Sequence, residues 1–338
     1  MDGAARIKQL LRVLLRTHLR GLINLQPTLL LLMVTTIILT ALHPLKVLYP
    51  NKCYELSSKF ILPVWNWLQY LFEKHNGATI TFSGDDLPPG ESAIVIANHI
   101  AWADYFLIQA LAKKASMLGR TRWFAKKELQ AVPILGWGLV AMGMPMVSRR
   151  WEADRLVVKC FLDNIVKGKW PIWLVIFAEA TRLVPEKRLK SMQWCERHGK
   201  PQPKHLLYPR TKGFTTVVQR LREAAHIKAV YDLTVAYQRG RDWLVAPNFW
   251  HALSGPHLSE PEERGGGGYR FHVHSRRYPI EELPRDEAGL AKWLERRWLE
   301  KGEWLEKKRI QWAVEGQRAA DMAGSAPCPS EELGKQCN

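Results

Sequence analysis

The sequence predicts an α/β fold: a mixed, mostly parallel sheet covered by helices, with a membrane-embedded helical segment before it. Three observations carry this expectation. Residues 21–42, GLINLQPTLLLLMVTTIILTAL, contain no charged side chain, which is about the length that crosses a hydrocarbon layer of roughly 30 Å. From residue 78 onward, short apolar runs alternate with longer mixed segments, the texture of buried strands separated by covering helices. Residues 287–314 then place apolar side chains at helical spacing.

The uncharged run follows Arg6, Lys8, Arg12, Arg16 and Arg20, and no small-residue cleavage site comes after it. It reads as a retained anchor with a cytoplasmic N-terminus rather than a cleaved leader. A second apolar stretch, FILPVWNWLQYLF at 60–72, is too short for a straight span and suits an interfacial or re-entrant helix. Trp65, Trp67 and Tyr70 fit the headgroup level there. Residues 1–75 are therefore expected to form the membrane anchor, as a hairpin.

The strand candidates are ATITF, SAIVIAN, MPMV, IWLVIF, AVYDLTVAY and FHVHS, with helices over residues 105–113, 152–166 and 215–224. They make one domain over residues 76–280, with GGGG at 265–268 as a flexible connector by composition before the last strand candidate. Leu290, Trp293, Leu294 and Trp298 succeed one another at helical spacing, and Trp298, Leu305 and Trp312 recur every seventh residue. Residues 281–316 thus predict a C-terminal amphipathic helix on the domain or the membrane. Residues 317–338, rich in Ala, Ser, Pro and Glu, read as a disordered tail.

Lys and Arg number 49 against 32 Asp and Glu, a formal charge of +17. Such an excess suits either nucleic acid or anionic membrane and phosphorylated ligands. The uncharged run favours the membrane, and no helix-turn-helix, RNA-recognition or zinc-finger pattern occurs, so no nucleic-acid partner is expected. Cys53, Cys160, Cys195, Cys328 and Cys337 are odd in number and lack C-x-x-C pairing, which implies reduced thiols rather than disulfides or zinc. His272 and His274 share one face of a strand without a third ligand, so no metal is expected.

The chemistry gathers at NHIAWAD, residues 98–104, directly after the apolar run that ends at Ala97. His99 and Asp104 stand at a strand-to-helix junction, where α/β proteins place ligands. On a regular helix their spacing would leave the side chains about 140° apart, so they meet only if the junction is irregular. If they meet, Asp104 fixes the imidazole tautomer and His99 takes a proton from a substrate hydroxyl. No serine or cysteine nucleophile stands nearby, so the attacking hydroxyl belongs to the substrate.

NHIAWAD resembles the Asn-His-x4-Asp signature of the glycerolipid acyltransferases. Further matches follow in order: GMPMVSR at 143–149, FAEATR at 177–182, LYPRTKGF at 207–214 and YDLTVAY at 231–237. The later blocks resemble the eukaryotic branch that acylates lysophosphatidic acid and lysophosphatidylinositol. The resemblance implies His99 as base and Asp104 as its partner, with Asn98, Arg149, Glu179, Thr181, Arg182 and Lys212 contacting substrate. Guanidinium groups bind phosphate bidentately, which suits Arg149 and Arg182 at the ends of strand candidates.

The implied reaction moves an acyl group from acyl-CoA, a co-substrate, to the sn-2 hydroxyl of lysophosphatidic acid. Backbone amides would stabilise the oxyanion, and no metal or redox cofactor is required. Other lysophospholipids are the nearest alternative acceptors, and the expected place is the endoplasmic reticulum membrane with the catalytic domain cytosolic. Ala178 and Ala180 stand where the family's third block usually has proline and glycine. That departure puts the turn beside Glu179 in question, and it is the one feature favouring an inactive membrane scaffold.

Overall fold

The structure, a computed structural model, describes residues 3–262 and 265–324. Its N-terminal part is a helical hairpin. Helix α1 (Gly3–Ala41) runs through Pro27, a short turn at His43–Lys46 reverses the chain, and α2 (Pro50–Tyr70) returns, ending in one wide turn at Leu71–His75. The helices are antiparallel: Cys53 Sγ lies against the Leu42 carbonyl, Trp67 Nε1 donates to Thr28 Oγ1 at 3.0 Å, and Arg20 donates to the His75 carbonyl at 2.6 Å. The second helix is longer than its apolar stretch because Pro50 opens it nearly three turns earlier, a position where proline's missing N–H costs nothing.

Thr17–Ala41 is the one helical stretch among the described residues long and apolar enough to cross a membrane, and 28% of its most apolar window is buried against the rest of the chain. It lies along the catalytic domain, with Asn24 donating to the Leu253 carbonyl and Thr36 to the Ile134 carbonyl.

The domain follows as β1 (Ile80–Gly84), β2 (Ser92–Ala97), α3 (Asp104–Lys114), β3 (Thr121–Trp123), β4 (Ala125–Lys126), α4 (Leu135–Ala141), β5 (Met146–Val147), α5 (Trp151–Gly168), β6 (Trp173–Phe177), α6 (Pro185–Arg197), α7 (Thr211–Leu221), β7 (Ile227–Arg239), β8 (Asp242–Trp243), α8 (Phe249–Ser254), β9 (Tyr269–Pro279) and α9 (Glu287–Gly324). The main sheet is ordered β1-β9-β7-β2-β6-β3, with β8 hairpinned onto β7. Its neighbours are parallel except where β7 meets β9 and β8. Strands β4 and β5 form a separate parallel ribbon, so the MPMV candidate leaves the sheet and yields only two strand residues.

Period-two burial builds two cores. Ala93, Val95 and Ala97 of β2 face the helical hairpin and α3, whereas Ile94 and Ile96 face α5, α7 and α9. Strand β6 repeats the pattern, Trp173 and Val175 one way and Leu174 and Ile176 the other, as expected of a sheet covered on both faces. Trp298, Leu305 and Trp312 of α9 are buried in the second core.

Two sequence expectations need correction. Helix α9 continues to Gly324, past the start of the expected tail, because GQRAADMA holds good helix formers; residues 325–338 lie outside the described residues. The GGGG segment is not a loose connector: the amides of Gly265, Gly266, Gly267 and Gly268 donate to the carbonyls of Glu262, Pro261, His257 and Glu260.

Candidate active site

Parallel pairing aligns Ala97 with Phe177 across β2 and β6, so both strands end at one edge and their following loops meet there. The NHIAWAD loop is pinned first by Asn98, which is fully buried. Its Nδ2 donates to the Val235 carbonyl at 3.0 Å and its Oδ1 accepts from the Val235 amide at 2.9 Å. Asn98 thereby replaces the next rung of the β2–β7 ladder and frees the chain to turn. The expectation that it touches substrate is corrected: both ends of its amide are spent on backbone.

The turn brings His99 and Asp104 together without a helix between them. His99 Nδ1 lies 2.8 Å from Asp104 Oδ2, which also accepts the amides of Ile100 at 2.7 Å and Ala101 at 3.1 Å. Asp104 Oδ1 accepts the Tyr237 hydroxyl at 2.7 Å. Asp104 is 0% exposed, and these donors offset the cost of burying its charge. With Nδ1 held by the carboxylate, Nε2 is the imidazole nitrogen left for chemistry. Phe177 stacks on the ring, centroids 3.9 Å apart, fixing its plane.

The FAEATR turn is stitched to the same loop, the Leu183 amide donating to the His99 carbonyl at 2.8 Å. Arg182 therefore starts beside the dyad. Tyr105, edge-on to His99, has its phenol pushed up to about 12 by burial and by Asp104, against the pull of Arg182 and Arg149. Both arginines thus lie within electrostatic reach of one ring beside the dyad. Arg149 holds φ at 64°, a left-handed conformation that costs a non-glycine residue energy and concentrates at functional sites.

Lys212, exposed, sits over the Trp151 ring and 3.9 Å from Glu152, at the start of α5. Thr181 is half-buried and makes no side-chain hydrogen bond among the described residues. The amides of Ile100 and Ala101 are consumed by Asp104 and are not free for an oxyanion.

Residues 79–238 match the family pattern described as Acyltransferase, and 265–307 match Acyltransferase C-terminus. Lysocardiolipin acyltransferase 1 of Gallus gallus is 31% identical over 82% of this chain and 72% of its own. The chain belongs to the glycerolipid acyltransferase superfamily. The 1-acyl-sn-glycerol-3-phosphate acyltransferase delta of Bos taurus is 34% identical over 62% of this acyltransferase and 51% of its own length. The crystal structure of PlsC, the 1-acyl-sn-glycerophosphate acyltransferase of Thermotoga maritima, matches with a TM-score of 0.41 and 16% identity over 82% of this chain and 95% of that one.

Glu179 departs from its expected place in the acyltransferase. Its carboxyl is buried and turned to Trp298 of α9, whose Nε1 donates to Oε1 at 3.4 Å. Oε2 has no partner. Burial pushes the acid up to about 8, although Trp298 and Lys301 pull the other way. Lys301, itself buried, pairs with Asp232 at 2.5 Å and donates to the Leu233 carbonyl at 2.6 Å. Glu179 thus braces the catalytic loops against α9 through Trp298.

The folded-state pKa of Glu179 lies above its ordinary 4.5, so the folded state binds the extra proton. This stability is fully present below 4.5 and lost as pH rises through about 8. Glu179→Gln is expected to remove that slope. Thermal unfolding at pH 5 and pH 8.5 should fall more steeply for the natural chain; parallel curves would refute the assignment.

Ala180 answers the question raised by the missing glycine: its φ is 56°, the left-handed region where glycine is free and alanine is strained. Ala180→Gly is expected to stabilise the protein by about 1 kcal/mol, raising Tm by about 2 °C, with the dyad unchanged. A lower Tm would mean that the turn is not strained. Ala178, by contrast, is buried in the second core and its carbonyl accepts the Arg210 amide at 2.7 Å, so the turn is anchored without the proline.

Sequence reasoning missed Tyr237, Phe177 and Trp298. Tyr237 and Phe177 end quoted blocks, yet nothing local marked them as partners of the dyad. His272 and His274 bond to Thr81 and Ser83 and stack on Trp304, a structural use of their rings. Cys53, Cys160 and Cys195 are free thiols; Cys328 and Cys337 lie outside the described residues.

Proposed function

We propose that this acyltransferase moves a fatty acyl group from acyl-CoA to a free hydroxyl of a phosphate-bearing lysophospholipid, lysophosphatidic acid first among them. The observation that carries the reading is the buried His99–Asp104 dyad, with the Arg182 loop hydrogen-bonded to the same turn. His99 Nε2 takes the acceptor's hydroxyl proton as that oxygen attacks the thioester carbonyl, the C–S bond breaks, and CoA leaves as the thiol. Asp104 balances the imidazolium formed in between. The two arginines hold the phosphate so that the hydroxyl meets Nε2. Base, hydroxyl and thioester suffice, so the chemistry asks for no metal or redox cofactor.

The apolar faces of α1 and α2 support a membrane setting, in the endoplasmic reticulum with the catalytic domain cytosolic. Both substrates concentrate at such an interface. A second reading, a larger lysophospholipid with more than one phosphate, is favoured by the basic residues beyond the pair. Arg150 and Arg210 are exposed and have no ion pair among the described residues. It also suits the longer match to the lysocardiolipin acyltransferase.

The test is a panel of lysophosphatidic acid, lysophosphatidylinositol and lysocardiolipin with oleoyl-CoA, read as lipid product. The fastest acceptor identifies the substrate, and no product with any acceptor refutes the reading. Arg182→Ala is expected to raise KM for a phosphate-bearing acceptor by about tenfold, the loss of one charge-assisted hydrogen-bonding group. An unchanged KM would remove Arg182 from the phosphate site.

A further inference from the structure

Residues 129–148, between β4 and the ribbon's end, contain no charged side chain, yet they hold only one helix of 7 residues. Such a run is ordinarily buried. Met142, Met144 and Met146 near its end are indeed buried in the first core, but Trp137 is 58% exposed, and Val132 and Val140 are exposed beside it. The segment cannot lengthen into a span, because Ile134 is forced into a tight turn at φ 65° and ψ −62°, closed by the Leu135 amide on the Pro133 carbonyl at 2.7 Å. A β-branched residue in that conformation is strained.

The segment is seated on α1. The Ile134 carbonyl accepts Thr36 Oγ1, and a Cβ at Gly138 would stand 2.7 Å from the same oxygen, so only glycine permits the approach. The neighbouring face of α1 offers exposed Met33 and Ile37, within its own uncharged run. At the other end α1 packs Gly21 against Trp250 of α8, and α8 brings exposed Phe249 to exposed Trp102 of the catalytic loop. Lys126, Lys127 and Glu128 precede the segment, Glu128 lying 3.2 Å from Lys126, and Arg149 and Arg150 follow it, so both flanks carry net positive charge.

We propose that residues 132–140 form a second membrane seat, a wedge with Trp137 entering the acyl layer beside α1 while the Lys and Arg that flank the uncharged run meet anionic headgroups. Basic residues at both ends of an uncharged, exposed apolar run match the charge profile of a leaflet. The proposal rests on the reading of the acceptor as a membrane lipid and adds a consequence to it. Met142, Met144 and Met146 tie the wedge to the core just before Arg149, so insertion sets the height of the domain edge that carries this arginine at the headgroup level, where a lysophospholipid presents its phosphate.

The test uses the full chain in phosphatidylcholine vesicles containing phosphatidic acid. The photoreactive residue p-benzoylphenylalanine at position 137 is expected to give lipid adducts by mass spectrometry, and the same residue at exposed Glu281 few. Equal yields at both positions, or adducts to a second copy of the chain in place of lipid, would overturn the wedge. In parallel, Trp137→Asp is expected to slow acylation of vesicle-borne acceptor by about tenfold. It should leave the rate on monodisperse short-chain acceptor unchanged, and Trp137→Phe should keep both rates. Equal loss on both acceptors would also overturn it. Were the natural chain inactive on every lysophospholipid, the acyltransfer reading would fail while the crosslinking arm still decided the wedge.

Discussion

Replacing His99 by alanine is expected to lower kcat by about 1,000-fold with little change in KM for either substrate. The acceptor hydroxyl is a weak nucleophile, and Nε2 is the group placed to take its proton once Asp104 has engaged Nδ1. Binding should be left largely alone, because Arg149 and Arg182 stand on other loops and Lys212 in the first turn of α7. The fold should survive: the His99 ring makes one hydrogen bond, and the loop's backbone is held independently by Asn98 and Asp104. The measurement is CoA release and lipid product from membranes carrying equal amounts of the natural and altered chains. A His99→Ala protein with near-normal turnover would remove the base from the mechanism and leave the arginines as a binding site alone.

The dyad was legible in the sequence because it is local. An apolar run, a histidine, a short irregular junction and an acid opening a helix can be read within a dozen residues, as can an arginine ending a strand. The heptad of Trp298, Leu305 and Trp312 likewise announced the buried face of α9. What stayed hidden was long-range. Tyr237 lies 133 residues from Asp104 and Trp298 lies 119 from Glu179, and no spacing rule joins such pairs. Direction was hidden too. Asn98 and Glu179 sit in the right loops, but a sequence does not say which side of a loop faces the core, and both turned inward to bond with β7 and α9. Helices α4, α6 and α8 were missed because they are short or weakly periodic. The strain at Ala180 was half visible: the missing glycine raised the question, and only the backbone angle answered it.

Asp104→Asn is expected to cost less than His99→Ala, and the reason lies in which oxygen bears the load. Oδ2 accepts from His99 and from two backbone amides, whereas Oδ1 accepts only the Tyr237 hydroxyl. An asparagine has one acceptor oxygen, and the two fixed amides compel it to occupy the Oδ2 place. Its NH2 then faces Tyr237, whose hydroxyl can rotate to accept. The loop, the Nδ1 contact and the tautomer are all kept, and only the negative charge opposite the forming imidazolium is lost. A hydrogen bond to a charged group contributes roughly 2–3 kcal/mol, so kcat should fall by up to about 100-fold. Asp104→Ala differs in kind: it strands the amides of Ile100 and Ala101 and the Tyr237 hydroxyl inside the protein, and should unfold the loop. Turnover of Asp104→Asn, His99→Ala and the double variant decides the matter. If the two side chains act as one unit, the double variant is no slower than His99→Ala alone. An Asp104→Asn rate at or below that of His99→Ala would instead mean that the amide had turned its NH2 to the imidazole and inverted the tautomer, against the pull of both backbone donors.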